Sequence, residues 1–227
     1  MRKVTFAVIT LCTAVTALAQ TPAPKAQDKA PAAEAIVGHY QFQSGLIMSV
    51  ENTGGALSMK YTGQPAQALS PAANGRFSYA GGQAELSFDL DATGKGKTLH
   101  VYFDERTLPA KRISDATAKK ASDALELKVK NQTHDPACVT TLKRVIEESR
   151  TGKPDYSKMT LATGQATRTQ LPMLQQRFQE LGALKEVKFT AVGPAGAEQF
   201  DVTFEKGSTQ WRIQCLPNGY VGNIGFR

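Results

Sequence analysis

The sequence predicts a β plus α+β protein: a small antiparallel eight-stranded barrel over residues 36–113, then helices packed on an antiparallel sheet over residues 114–227. Three observations lead there. Leu86, Phe88 and Leu90 alternate with Glu85, Ser87 and Asp89, and Leu99, Val101 and Phe103 alternate with His100, Tyr102 and Asp104. Such period-two alternation marks a strand with one buried face. At Ser114 the apolar spacing changes to the helical one, and after Gly182 the strand pattern returns.

Residues 1–19 begin with Arg2 and Lys3, continue through an apolar stretch from Val4 to Leu18 and end in Ala17-Leu18-Ala19. That is the layout of a secretory signal, cleaved between Ala19 and Gln20, with an apolar core too short to span a bilayer. Cys12 lies inside the apolar core without the small-residue pattern of a lipoprotein cleavage site. Residues 20–35 are rich in Pro, Ala, Lys and Gln and hold no aromatic residue, so they are expected to form a disordered linker.

The barrel strands are expected at His39–Gln43, Leu46–Glu51, Ala56–Thr62, Ala66–Ser70, Arg76–Ala80, Glu85–Leu90, Leu99–Asp104 and Thr107–Ile113. Turn chemistry separates them, as at Ser44-Gly45, Gly54-Gly55, Gly63-Gln64-Pro65, Asn74-Gly75 and Gly81-Gly82. Eight short strands in this span protect their edges by closing on one another. The inward set, including Leu86, Phe88, Leu90, Val101 and Phe103, is large enough to fill a narrow barrel with side chains.

Beyond Ser114, Ala118, Ala121, Leu125 and Val129 repeat at helical spacing through Asp115–Lys130. Asp135-Pro136 reads as an N-cap followed by a proline at the first helical position, opening a helix to about Arg150 that stops at Gly152-Lys153-Pro154. A third helix is expected from about Thr160 to Gly182, with Leu171, Leu174, Phe178 and Leu181 inward and a kink at Pro172. Strands follow at Leu184–Val192, Gln199–Glu205, Thr209–Leu216 and Tyr220–Phe226. Cys138 falls on the apolar stripe of its helix with Leu142 and Val145, and Cys215 shares a strand face with Trp211 and Ile213. Both sulfurs point into one core, and a disulfide closing so long a loop contributes roughly 4 kcal/mol if unstrained; the alternative is two buried thiols.

A set of residues across the first unit carries a family resemblance: Val37-Gly38-x-Tyr40, Gly45-Leu46, Gly55-x-Leu57, Thr62-Gly63-Gln64-Pro65, Phe77, Phe88 and Pro109-Ala110-Lys111-Arg112-Ile113. It resembles the lipocalin-like C-terminal barrel appended to serine β-lactamase-related hydrolases and S12-type peptidases. Ser149–Tyr156, Leu181-Gly182-Ala183 and Phe204-Glu205-x-Gly207 leading to Trp211-Arg212-Ile213 look like segments that follow this barrel in related exported proteins. The helices-then-meander order resembles the cystatin-like or NTF2-like cone. The resemblance implies an accessory barrel without its own assigned activity. The hydrolase itself is missing: Ser58-Met59-Lys60 has the wrong spacing for Ser-x-x-Lys, and Lys60-Tyr61-Thr62-Gly63 interrupts Lys-Thr-Gly.

Other motifs lead to no chemistry. Gly94-Lys95-Gly96-Lys97-Thr98 imitates a phosphate loop, yet its first glycine falls at Asp91 and a strand follows. His39, His100 and His134 lack cysteine or carboxylate neighbours at ligand spacing. Asp201 and Glu205 alternate outward from Phe200, Val202 and Phe204. The sequence therefore assigns no catalytic, cofactor-binding or metal-binding residue.

The formal charge of +7 falls to +5 once Arg2 and Lys3 are removed, and the basic residues alternate with acidic ones rather than forming a block. That pattern favours a solvated mixed surface over a nucleic-acid footprint, so no nucleic acid is expected as a partner, and no segment is long and apolar enough for a transmembrane helix. The expectation is a periplasmic or secreted monomer that binds a small apolar ligand, a cell-wall fragment or an envelope protein. Two alternatives stand beside it: weak hydrolytic or acid/base chemistry in a cup of the barrel or of the cone, and regulation or inhibition of an envelope hydrolase.

Overall fold

The computed structural model describes residues 30–227. The expected signal, its cleavage point at Ala19 and Gln20, and positions 20–29 of the linker lie outside the described residues.

A short helix, α1 (Ala33–Ile36), precedes nine strands: β1 (Gly38–Phe42), β2 (Ile47–Thr53), β3 (Ala56–Tyr61), β4 (Gln67–Ala68), β5 (Ser70–Pro71), β6 (Phe77–Tyr79), β7 (Ala84–Leu90), β8 (Gly96–Phe103) and β9 (Arg106–Ile113). They form one antiparallel sheet in the order β4-β3-β2-β1-β9-β8-β7-β6-β5. First and last strands meet through pairs such as Tyr40 with Arg112. The two outer strands flank a single residue, Leu69, whose side chain is buried and whose N–H donates to the Leu57 carbonyl at 2.9 Å. The expected fourth strand is thus bent in two: Met59 pairs with Gln67 on one side of the bend, and Pro71 with Phe77 on the other. The result is a nearly closed barrel.

Tyr40, Met48, Met59, Leu86, Phe88 and Leu99 fill the barrel, each at most 1% exposed. Burial raises the Tyr61 hydroxyl well above its ordinary range, with Tyr79 beside it adding to the rise. One end is closed by α1, which begins inside the stretch expected to be a linker. Ile36 is fully buried there, because the Tyr40 hydroxyl donates to its carbonyl at 2.8 Å and holds it over the interior. Arg112 fastens the same corner, donating to the Tyr40 hydroxyl, the Gly96 carbonyl and the Val37 carbonyl. The expected linker therefore ends in helix at Ala33–Ala35, while Ile36 lies where the barrel domain was expected to begin.

The second unit comprises α2 (Asp115–Asn131), α3 (Pro136–Thr151), α4 (Leu161–Leu181), β10 (Leu184–Val192), β11 (Glu198–Phe204), β12 (Gly207–Leu216) and β13 (Tyr220–Phe226). The Ser114 hydroxyl caps α2 through the Thr117 N–H, and the Asp135 carboxylate caps α3 through the Ala137 N–H ahead of Pro136. α4 continues through Pro172. The strands form a β10-β11-β12-β13 meander. Cys138, Leu142, Val145 and Ile146 of α3, with Leu174, Phe178 and Leu181 of α4, cover Phe200, Val202, Phe204, Trp211 and Ile213 in a second core. The Cys138–Cys215 disulfide staples α3 to β12 across a Cα separation of 5.5 Å.

α2 contributes little to either core. Ala118 is its one buried residue, and Ala121, Leu125 and Val129 are half-buried. Its role is to bridge: the Leu125 side chain lies against both Gly63, after β3, and Gly196, in the β10–β11 turn, where any Cβ would collide with it.

Candidate functional site

Three places bring functional groups together, and their geometries differ in what they permit. The first lies where α2, the α2–α3 loop and the start of β11 meet. Glu198 has the strand parity of Phe200 and Val202, so it points inward and is fully buried. Its Oε1 accepts from Lys128 Nζ at 2.7 Å and from the Asp135 N–H at 3.0 Å, while Oε2 lies 2.8 Å from His134 Nδ1. The His134 ring stacks on Phe189 at 4.8 Å and meets Phe200 edge-on at 5.9 Å. Gln132 completes the clasp, its amide exchanging hydrogen bonds with the N–H and carbonyl of Val192. A carboxylate offers about four acceptor sites, and three are occupied here. This anion pins the α2–α3 loop to the sheet and has little capacity left to take a proton from a substrate.

The second place resembles a nucleophilic triad. Ser49 Oγ lies 2.7 Å from His39 Nδ1, and His39 Nε2 lies 3.8 Å from Asp115 Oδ1. Their sequence spacing does not suggest joining these residues; His39 and Ser49 meet because they are direct partners across β1 and β2. A working triad uses Nε2 towards serine and Nδ1 towards a buried aspartate. Here the nitrogens are exchanged, and the Asp115 side chain is 97% exposed at a distance beyond hydrogen bonding. The carboxylate is not placed to hold the ring in a fixed orientation.

Two of the histidines meet carboxylates in space: His100 lies 2.7 Å from Asp89 and His134 lies 2.8 Å from Glu198. Among the described residues, no group of three or more His, Cys, Asp or Glu side chains is placed to hold a metal ion. The Gly94–Thr98 segment is a hairpin tip leading into β8. Asp91 accepts there from the Thr93 N–H, the Thr93 hydroxyl and the Lys95 N–H, which hold its carboxyl below the usual range. Asp201 and Glu205 point outward and are exposed, as their alternation indicates. The outer face of the sheet is a shallow polar depression in which Lys188, Asp201, Gln210 and Arg227 carry both signs of charge.

The third place is a groove of about 690 Å³ between α4 and the edge strand β13. Along α4, Ala162, Ala166, Gln170, Met173 and Arg177 recur at helical spacing and form one wall. Ala162 and Ala166 are too short to fill the space, and Met173 remains 59% exposed. The opposite wall is Gly222–Phe226, and Trp211 forms the floor, stacked on Phe226 with ring centroids 4.6 Å apart. The indole N–H already donates to the Thr209 hydroxyl at 2.8 Å, leaving an apolar surface towards the groove. Arg177 is the one ionisable side chain in the lining. Sequence reading placed Trp211 in the core. The groove itself arises where the short Ala162 and Ala166 of α4 run past β13, a juxtaposition made by the helix crossing.

No protein-family model matches the chain, no curated protein is similar to it, and no solved structure matches it.

Proposed function

We propose that this protein is an exported, non-catalytic binding module whose ligand occupies the α4–β13 groove. The observation that carries the reading is the chemistry of that groove: apolar and aromatic surface, one cation, and open access along α4. The polar clusters favour it by contrast, since Glu198 is saturated with partners and the Ser49–His39–Asp115 array has its imidazole reversed. Export is supported by the signal-like residues 1–19 and by the disulfide, which suits an oxidising compartment. No described helix is long and apolar enough to cross a membrane. On this reading the first unit is a lipocalin-like barrel with a filled interior, the second a cystatin- or NTF2-like half-cone. The pair is then a stand-alone version of the accessory modules of β-lactamase-related hydrolases, with a small ligand or an envelope protein as partner.

Trp211 is the single tryptophan of the chain, so groove occupancy has a direct optical signal. The test is titration with anilinonaphthalene sulfonate, a small apolar anion, following energy transfer from Trp211. Ala166→Phe places a large ring at an exposed α4 position that lines the groove. Saturable binding by the parent and its loss in Ala166→Phe are expected; equal binding by both proteins would show that the dye sits elsewhere and would overturn the reading.

A further inference from the structure

The groove is bounded by a strand edge, and the hydrogen-bond register of that edge specifies a ligand class. Gln210 and Arg227 exchange both backbone bonds, so the Trp211–Phe226 and Ile213–Ile224 pairs are the non-bonded ones of the ladder. The N–H and C=O groups of Ile224 and Phe226 therefore point away from β12, out of the sheet. Among the described residues they have no hydrogen-bond partner.

The chain itself shows that this edge accepts a strand. Met159 forms a parallel bridge with Val221, the Thr160 N–H donates to the Val221 carbonyl at 3.0 Å, and the Thr160 and Thr163 hydroxyls both donate to the Gly222 carbonyl at 2.8 Å. At Thr160 the chain turns into α4, and the edge from Asn223 onward is bare. α4 runs alongside in the same direction as β13: Thr163 lies beside Gly222, and Phe178 lies beside Phe226 with ring centroids 5.8 Å apart. Arg177 accordingly stands at the Phe226 end. Among the described residues its salt bridge is a loose one to Glu180 at 3.6 Å between two half-exposed side chains, an interaction of little strength.

We propose that the groove binds an extended peptide, added to β13 in the parallel direction begun by Met159–Thr160, with its C-terminal carboxylate at Arg177. The peptide backbone completes the bonds offered by Ile224 and Phe226, and alternate apolar side chains enter the space over Ala162, Ala166 and Met173. The direction and the charge agree: a strand parallel to β13 brings its C-terminus to the end where the one cation stands. This inference rests on the groove being the binding site.

The probe is an acetylated hexapeptide of alternating serine and valine with a free C-terminal carboxylate, titrated into the full chain with Trp211 fluorescence as readout. Two N-methylated versions place the methyl groups on residues facing β13 or on the intervening ones. Methylation on the facing register is expected to weaken binding about tenfold or more per lost hydrogen bond. The intervening register should bind like the parent peptide. C-terminal amidation and Arg177→Gln are each expected to weaken binding about fivefold, without adding, because they remove the two halves of one contact. Amide exchange at Ile224 and Phe226 should slow on binding. Equal effects of the two methylation registers would overturn strand addition. Binding of the dye but not of the peptide would overturn the peptide and leave the groove reading intact, whereas failure of both would remove the two together.

Discussion

Replacing Glu198 by alanine tests whether its cluster is a structural clasp. The side chain is fully buried and takes three hydrogen bonds, two of them from the Lys128 and His134 side chains, which remain 24% and 29% exposed. Breaking a buried charge pair by deleting one partner costs about 3–5 kcal/mol. Water reaches the abandoned lysine and histidine, so the lower end applies here, about 3 kcal/mol, or a fall in Tm of roughly 6–12 °C for a protein of this size. Glu198→Gln keeps the shape and one carbonyl acceptor and should cost about 1–2 kcal/mol. The assay is equilibrium urea unfolding followed by Trp211, which lies in the same core as the sheet that Glu198 enters. A loss below about 0.5 kcal/mol for alanine, the range of an ordinary surface substitution, would refute the clasp. Equal losses for alanine and glutamine would show that charge rather than packing and hydrogen bonding controls the site.

Three further outcomes are expected. The Cys138→Ser/Cys215→Ser protein should be less stable by about 4.5 kcal/mol from loop entropy over a separation of 77 residues; hydrogen exchange should show lost protection in β11 and β12 with β7 and β8 unchanged. Ile36→Ala empties the barrel end that α1 closes and should cost about 3 kcal/mol in thermal or urea unfolding; no change would mean that α1 does not seal the core. Asp155 is held below its ordinary carboxyl range chiefly by the Ser157 hydroxyl, and Glu205 chiefly by the Ala183 N–H. A depressed folded pKa gives stability that is present above the unfolded value and lost as pH falls through the folded one. Acid titration of the unfolding midpoint should therefore slope downward below the usual carboxylate range, and Asp155→Asn should flatten that slope.

Much of the framework was legible because it depends on local period and turn chemistry. Leu86, Phe88, Leu99 and Val101 announced their strands, Asp135-Pro136 its helix start, and Gly152 a helix end, where φ is +73°. The disulfide was legible because two cysteines each lay on an apolar face. The bend at Leu69 was not, since a strand that changes partner keeps its own alternation and alters only its neighbours. Glu198 was hidden for a related reason. At the first position of a strand, inward or outward parity has few residues to establish it, and its partners are 70 and 64 residues away at Lys128 and His134. The groove left the faintest trace, because Ala162 and Ala166 are informative only through what they fail to fill.

The proposed reading turns on where hydrogen-bonding capacity is left unused. Acid/base work needs a side chain with a spare lone pair or proton beside a cavity. Glu198 is held by Lys128, His134 and the Asp135 N–H, and neither Glu198 nor His134 lines the α4–β13 groove. His39 and Ser49 are joined across strands, with Asp115 left in solvent. Trp211, which does border the groove, has spent its N–H on Thr209. The capacity that remains beside the groove includes the backbone of Ile224 and Phe226 and the Arg177 guanidinium, and backbone groups at a strand edge recognise another backbone. Edges of this kind invite self-association unless they are blunted. Here Thr160 and Thr163 cap the start of β13, and Gly222 and Gly225 weaken its pairing propensity. The bare length is restricted to four residues under the shelter of α4, which suits a short extended peptide and disfavours a second copy of the whole sheet.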